Sequence, residues 1–441
     1  MLARTGEGTV SGSAWTGAAV AAVSAAYALV SRRLSTTAVS APMVFTGCGV
    51  AIGPLGLDLL DPGHDVGPVL TLVEATLTLV LLTGAMAVHR RDLSLGRFLP
   101  GRLLGIGLPL TIGAGWLLAW PLLPGLTVWE LALVGVILAP TDAALGKTAV
   151  SSPSVPPLVR NGLNVESGLN DGMALPFFVL FLAGLPGTTA AEEGTAGVFW
   201  RALVLSTALG LAVGGVGGWV LRRAREQGWV DDGWRQVFVL AVAAGSYTLA
   251  VAVDGSGFIA AWVAGFAFGV SLRQETTADT PRPAADDTAD LAEHLAELLA
   301  CLSFLVFGAV LLGPALEQLD WRVVTYAVLS LTVVRMLPVA LSLAGSGLAL
   351  PTVAYVGWFG PRGLASVVFG LLVVEEHVPG VQLLGRVVAV TIALSILLHG
   401  VSAVFLAERY GAWHRKAAAR RPDLREGPAE TPEAGASSTT S

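Results

Sequence analysis

The chain has 441 residues, of which 54% are hydrophobic and only 13% charged, and its mean hydropathy is +0.70. A water-soluble globule of this length cannot clothe its surface with so few polar groups, so that class is excluded and the chain is solvated by lipid. A formal net charge of -6, with no large basic patch, excludes nucleic acid as a partner.

Apolar segments long enough to cross a hydrocarbon core, roughly 20 residues, recur along nearly the whole sequence. About thirteen spans are expected, at 14–31, 38–57, 66–88, 99–121, 127–149, 160–185, 197–221, 234–253, 256–272, 291–313, 322–343, 350–374 and 386–407. The first, around Thr16 to Val30, has the length and small residues of a cleavable signal peptide. Arg32 and Arg33 follow it, however, while Arg4 alone precedes it, opposed by Glu7. That order reads as a first span that starts outside.

The loops between spans carry a consistent charge pattern. Arg32 and Arg33, then Arg90, Arg91 and Arg97, then Arg222, Arg223 and Arg225, then Arg273 and Arg282, and the tail from Arg409 to Arg425 fall on one side. Asp58, Asp61 and Asp65, then Glu130, Glu192 and Glu193, then Asp254, Glu317, Asp320, Glu375 and Glu376 fall on the other. Arg4, Arg201, Arg322 and Arg386 are lone exceptions. Because basic loops stay cytoplasmic, the pattern predicts a multi-pass protein of the cell membrane with its N-terminus outside and its C-terminus in the cytoplasm. Residues 1–408 are then the membrane domain, with 273–290 as a polar connector between its halves. The stretch 409–441, charged and rich in Ala, Pro, Ser and Thr, is expected to be a disordered cytoplasmic tail.

Ionisable groups at bilayer depth are costly, so each one inside an apolar span is a candidate functional residue. Six stand out: Glu74 in the third span, Asp142 in the fifth, Glu166 and Asp171 in the sixth, Arg335 in the eleventh and Arg362 in the twelfth. The fifth span reads Leu138-Ala139-Pro140-Thr141-Asp142, and the twelfth reads Gly357-Trp358-Phe359-Gly360-Pro361-Arg362-Gly363. Each puts a proline in mid-membrane beside a charge. Proline removes a donor and clashes with the preceding turn, so both helices should break, leaving backbone groups that only a polar interior satisfies. The two spans run in opposite directions, the pattern of inverted repeats whose interrupted helices cross at a substrate site; ordinary proline kinks are the plainer alternative. Asp142 suits exposed helix N-termini at such a crossing and Arg362 suits exposed C-termini.

In the sixth span, Asn164-Val165-Glu166-Ser167-Gly168-Leu169-Asn170-Asp171, residues four apart share a helix face. Ser167 and Asp171 therefore present oxygens to one side, and Glu166 and Asn170 stack on a neighbouring stripe. One carboxylate can serve an ion while the other pairs with an arginine. Asp171, Asp142, Thr141, Ser167 and freed carbonyls form a hard oxygen donor set suited to a small monovalent cation such as sodium. A carboxylate withheld from water needs a proton or a cation as partner, and Asp171 can hold one or the other but not both. Alternating access to such a group is antiport.

Other chemistries find less support. Cys48 and Cys301 lie in apolar segments as packing residues, and His64, His89, His294 and His399 are scattered singly, which disfavours a transition-metal site. Gly146-Lys147-Thr148 resembles the end of a phosphate-binding loop, but Thr141 occupies the position where that motif needs glycine. An aspartyl protease within the membrane would need Asp142 and Asp171 adjacent, and a channel needs no buried titrating group. A sodium-coupled symporter for an organic solute remains an alternative that wants a roomier cavity.

The stretch Ala139 to Pro176, with Pro140-Thr141-Asp142, Arg160, Glu166-Ser167-Gly168 and Asn170-Asp171, resembles the NhaP and NHE branch of monovalent cation/proton antiporters. Glu74, Arg335 and Gly360-Pro361-Arg362-Gly363 match its remaining signatures in order. The resemblance implies an all-α polytopic NhaA-like antiporter fold of thirteen helices, with two inverted six-helix repeats near 14–185 and 234–407, working as a homodimer. It implies electroneutral exchange of sodium or lithium for a proton at Asp171, with Asp142, Thr141 and Ser167 as accessory ligands and Asn170 as the neutral member of the pair. Glu74 would lie near the ion path, Glu166 would pair with Arg362, and Arg335 and Arg160 would be accessory. No enzyme activity is implied, nor any cofactor beyond the transported sodium ion and proton. Potassium in place of sodium is an open alternative on the same fold. Ala143, where the family more often has proline, is a departure.

Overall fold

The computed structural model describes residues 7–34, 37, 39–59, 66–88, 98–142, 145, 152–185, 194–273, 286–375, 380–421 and 424–427. Arg4, Asp61, Asp65, His64, His89, Arg90, Arg91, Arg97, Lys147, Glu192, Glu193, Arg282 and Glu376 lie outside the described residues, as does the tail from position 428.

All described regular structure is helical, and each of the thirteen apolar segments holds helix. The first seven helices are α1 (Glu7–Leu34), α2 (Ala41–Ile52), α3 (Val66–Ala87), α4 (Phe98–Leu122), α5 (Val128–Ile137), α6 (Pro157–Ala183) and α7 (Thr195–Glu226). There follow α8 (Asp232–Val251), α9 (Gly257–Leu272), α10 (Asp286–Phe307, extended through a π turn to Glu317) and α11 (Trp321–Ser342, interrupted at Thr332). The twelfth segment is split into α12 (Leu350–Trp358) and α13 (Leu364–Glu375), and α14 (Val381–Arg420) closes the bundle. Among the described residues, eight helical stretches are long and apolar enough to cross a membrane, and Ala41–Ile52, Val128–Ile137, Gly257–Leu272 and Leu364–Val373 are shorter apolar helices. Leu117, Trp120, Trp200, Val204, Leu211, Trp219 and Leu397 stand exposed on the outside. In water such a surface would drive aggregation, whereas lipid solvates it at no cost. This is a multi-pass membrane protein.

The core lies around α5, α13 and α14. Every residue from Glu130 to Ile137 is buried, as are Val367 to Phe369 and Val387 to Ala389, and Phe178 of α6 stacks on Phe369 at 4.6 Å. Short broken helices therefore occupy the centre, where their loose ends meet protein and not lipid. At its start α5 is held by a capping box: Thr127 Oγ1 accepts from the Glu130 amide, and Glu130 Oε2 accepts from the Thr127 amide. Glu130 Oε1 also accepts from the Gly380 amide at 2.8 Å, so one carboxylate joins the N-termini of α5 and α14. On the flank, α7 lies along α9 through Gly210, Gly214 and Gly218, spaced one turn apart. A β-carbon at Gly214 would run into the Ala264 carbonyl, so the two backbones touch directly.

The expected tail from 409 is corrected in part. Apolar character ends near 408, but α14 runs on to Arg420, because Ala417, Ala418 and Ala419 are strong helix formers and Tyr410 and His414 are buried. The chain then returns so that Glu426 accepts from the Ala349 amide at 2.9 Å and from Thr352 Oγ1 at 2.7 Å, capping α12 from a distance. Arg425 lies over the Phe98 ring and donates to the Ser346 carbonyl.

Candidate ion-binding site

The site is built where the two breaks meet. Helix α5 stops at Ile137 because Pro140 has no amide to continue it and disfavours helical backbone at Ala139. Pro361 ends α12 in the same way, at Trp358. The two extended stretches cross, with the Asp142 amide donating to the Pro361 carbonyl at 2.8 Å.

The helix ends left exposed by the breaks are compensated by charge. Arg362, fully buried, donates from Nη1 to the carbonyls of Ala139 at 2.7 Å and Pro140 at 3.3 Å, just past the C-terminus of α5. Asp142 Oδ2 accepts from the Leu364 amide at 3.1 Å, at the N-terminus of α13. Each charge opposes the partial charge of the helix end that it meets. Ser366 Oγ donates to the Ile137 carbonyl at 2.6 Å and adds a second tie between α5 and α13. Gly360 and Gly363 make room for this arrangement: a β-carbon at Gly363 would collide with the Asp142 carboxylate, and one at Gly360 with the Arg335 guanidinium.

The sixth helix meets the crossing through two polar side chains. Ser167 Oγ donates to the Thr141 carbonyl at 3.0 Å, while Asn170 Nδ2 donates to the same carbonyl at 3.1 Å and to Thr141 Oγ1 at 2.6 Å. A carbonyl can only accept, so the Asn170 amide must point its nitrogen at Thr141 and its oxygen away. That oxygen is buried and has no donor among the described residues. The same holds for Asp171 Oδ1, shut off from solvent in a residue that is otherwise half-buried. Two acceptor oxygens on consecutive residues of α6 therefore have nothing to accept from among the described residues, and hard oxygens of this kind fit a hard cation or, at the carboxylate, a proton.

One expected partnership is corrected. Glu166 does not pair with Arg362. It forms a two-pronged ion pair with Arg335 of α11, Nη1 to Oε1 at 2.7 Å and Nη2 to Oε2 at 3.0 Å, both residues being 3% exposed. Arg362 is taken up by the α5 carbonyls, and Arg335 reaches Glu166 because Gly360 offers no side chain in its way. Of the other expected residues, Glu74 is half-buried on α3. Arg160 is half-buried in the first turn of α6, about three turns before Asp171.

Sequence reasoning missed Ser395, His399 and Ser366. Ser395 Oγ accepts from the Arg362 amide at 2.7 Å, and His399 Nε2 lies 3.0 Å from the Trp358 carbonyl. The criterion that singled out six ionisable groups inside apolar spans, applied to the last span, adds His399 as a seventh. For the serines no signal was available, since a lone hydroxyl in a membrane helix normally bonds its own preceding turn.

Residues 19–409 match the family described as "Sodium/hydrogen exchanger, transmembrane". This chain belongs to that family. Its members are transporters and not enzymes. Among similar proteins, the K(+)/H(+) antiporter NhaP2 of Shewanella sp. strain MR-4 is 24% identical over 396 residues, 88% of this chain. The chain spans 65% of the length of that relative. The Na(+)/H(+) antiporter 2 of Zygosaccharomyces rouxii is 27% identical over 281 residues, 58% of this chain and 33% of the relative. Among solved structures, the sodium proton antiporter MjNhaP1 from Methanocaldococcus jannaschii superposes with a TM-score of 0.75 at 20% identity, covering 91% of this chain and 99% of that one. MjNhaP1 and this protein therefore share a fold.

Proposed function

We propose that this protein exchanges a monovalent cation, sodium or lithium, for a proton by alternating access at Asp171. The observation that carries the reading is a crossing of two broken helices beside a buried aspartate oxygen that has no donor among the described residues. Asp171 releases a proton when its carboxylate takes a cation and regains it when the cation leaves. Asn170 is neutral, so one carboxylate swaps one charge for another and the cycle is electroneutral. Thr141, Ser167 and Asp142 are accessory to that site, although in this geometry Ser167 and Asp142 are occupied in holding the crossing together. Glu74 would lie near the ion path, and Arg160 would be accessory.

Thirteen spans in two inverted repeats, a homodimer in the cell membrane, an external N-terminus and a cytoplasmic C-terminus complete the reading. It is supported by the family match, by the fold shared with MjNhaP1 and by the alternation of acidic and basic loops. Potassium is a second reading, favoured by the names of the Shewanella relatives. Oxygen ligands alone accept either ion.

The test is dissipation of an imposed pH gradient in liposomes bearing the purified protein, comparing sodium, lithium and potassium with and without a clamped membrane potential. Sodium and lithium should dissipate the gradient, the clamp should change nothing, and Asp171→Asn should lower the rate at least tenfold. Exchange surviving in Asp171→Asn sinks the site, a current under the clamp sinks the one-for-one stoichiometry, and a response to potassium alone reassigns the cation.

A further inference from the structure

In an unbroken helix the Arg362 amide would donate to the Trp358 carbonyl, four residues back. At the break these two groups are parted, and each must find another partner or be left buried and unpaired, which is costly. Two side chains of α14, one turn apart, meet that need. The Arg362 amide donates to Ser395 Oγ at 2.7 Å, Ser395 Oγ lies 3.2 Å from His399 Nδ1, and His399 Nε2 lies 3.0 Å from the Trp358 carbonyl. Ser395 and His399 are 0% and 1% exposed, so water does not take their place.

The direction of each bond follows from what each atom can do. Each ring nitrogen faces a carbonyl at 3.0 Å, Nε2 that of Trp358 and Nδ1 that of Ser395, and a neutral ring has one proton for the two; the relay places it on Nε2, which then donates to Trp358. Nδ1 is then an acceptor, and only the Ser395 hydroxyl can donate to it. The hydroxyl is free to do so, because its oxygen receives the Arg362 amide. The relay thus runs from the Arg362 amide through Ser395 and the imidazole to the Trp358 carbonyl, and it substitutes for the helical bond that the break removes. The Gly360 amide supplies a second donor to the same carbonyl at 2.8 Å, and Trp358 Nε1 is tied to Ser402 Oγ at 3.0 Å.

We infer that His399 and Ser395 are positioning residues that hold the α12–α13 break open. They keep Arg362 on the α5 carbonyls and the Leu364 amide on Asp142, and they tie the break to α14. Without the relay the buried Arg362 amide loses its acceptor, and residues 359–362 shift to find another, which draws Arg362 away from Ala139 and Pro140. The consequence for transport rests on the exchange proposed at Asp171; the consequence for the backbone does not.

The experiment compares His399→Phe, which keeps the ring's bulk without its polar atoms, with His399→Gln, whose amide nitrogen can stand in for Nε2. In the liposome assay His399→Phe should raise the apparent KM for the cation at least fivefold and shift the pH of half-maximal exchange, and His399→Gln should stay within twofold of the parent. Hydrogen–deuterium exchange of peptides spanning 356–366 should be altered in His399→Phe and parental in His399→Gln. A residue that merely fills space would show the reverse order, Phe tolerated and Gln not, and that order would overturn the inference, as would three indistinguishable proteins. Should His399→Phe fail to assemble, Ser395→Ala against Ser395→Thr carries the same expectations, the threonine keeping the hydroxyl. A parent without cation-dependent exchange would sink the proposed function, while the deuterium pattern would still decide for or against the relay.

Discussion

Glu166 and Arg335 are both charged, both almost wholly buried, and satisfied chiefly by each other. Removing one partner leaves an uncompensated charge in the interior, at a cost of about 3–5 kcal/mol, whereas removing both together with well-packed apolar replacements costs far less. Glu166→Leu and Arg335→Met should therefore each lower thermal stability more than the double substitution does, as measured by a thermal-shift assay in detergent. Effects that simply add would refute the pairing. Combining Glu166→Leu with Arg362→Met should bring no such relief, because Arg362 answers to the carbonyls of Ala139 and Pro140. At this scale the sequence exposed which residues carry charge at bilayer depth, and helix geometry separated Glu166 from Asp171. It could not say which arginine meets Glu166, since Arg335 and Arg362 are about equally remote along the chain and only the missing side chain at Gly360 admits one of them.

Helices in lipid gain nothing from hydrophobic burial against one another, so their association depends on close backbone approach and polar ties. The contact of α7 with α9 is of the first kind. Gly214→Val would drive a side chain into the Ala264 carbonyl, and overpacking of this sort costs about 1–3 kcal/mol. Gly215→Val, whose β-carbon meets open space, should be tolerated. The comparison can be read from the yield and melting temperature of the two variants; equal behaviour would mean that α7 and α9 are less closely apposed. The Glu130 link between α5 and α14, and the Glu426 cap on α12, are of the second kind. The broken helices were legible because Pro140 and Pro361 punctuate apolar runs. The interruption of α11 at Thr332 has no proline at the break itself, and the extension of α14 to Arg420 passes the point where apolarity stops, so neither was legible.

Contacts distant in sequence gather the ends of the helices into two groups. Arg102 donates to the Ala344 carbonyl, Arg425 lies over Phe98, and Gly411 packs against Ser154, which brings the starts of α4, α6 and α12 together with the chain's last described residues. Arg222 donates to the Ser271 carbonyl and Arg273 to the Met86 and Val88 carbonyls, which brings the ends of α3, α7 and α9 together. In a background with Cys48 and Cys301 replaced by serine, Gln227→Cys should react with a membrane-impermeant thiol reagent only from the cytoplasmic face, and Leu319→Cys only from the outer face. The opposite result would invert the orientation argued from loop charge. By itself the sequence determined that the chain lives in lipid, which segments are apolar helices, where two of them break and which buried charges need answering, because each of these follows from local hydropathy, proline chemistry and the cost of charge in an apolar medium. Only the tertiary structure decided who answers them: Arg335 for Glu166, the α5 carbonyls for Arg362, the α13 amide for Asp142, and Ser395 with His399 for the parted backbone bond. Those partners lie up to 223 residues apart, and only packing of the whole bundle brings them within hydrogen-bond reach.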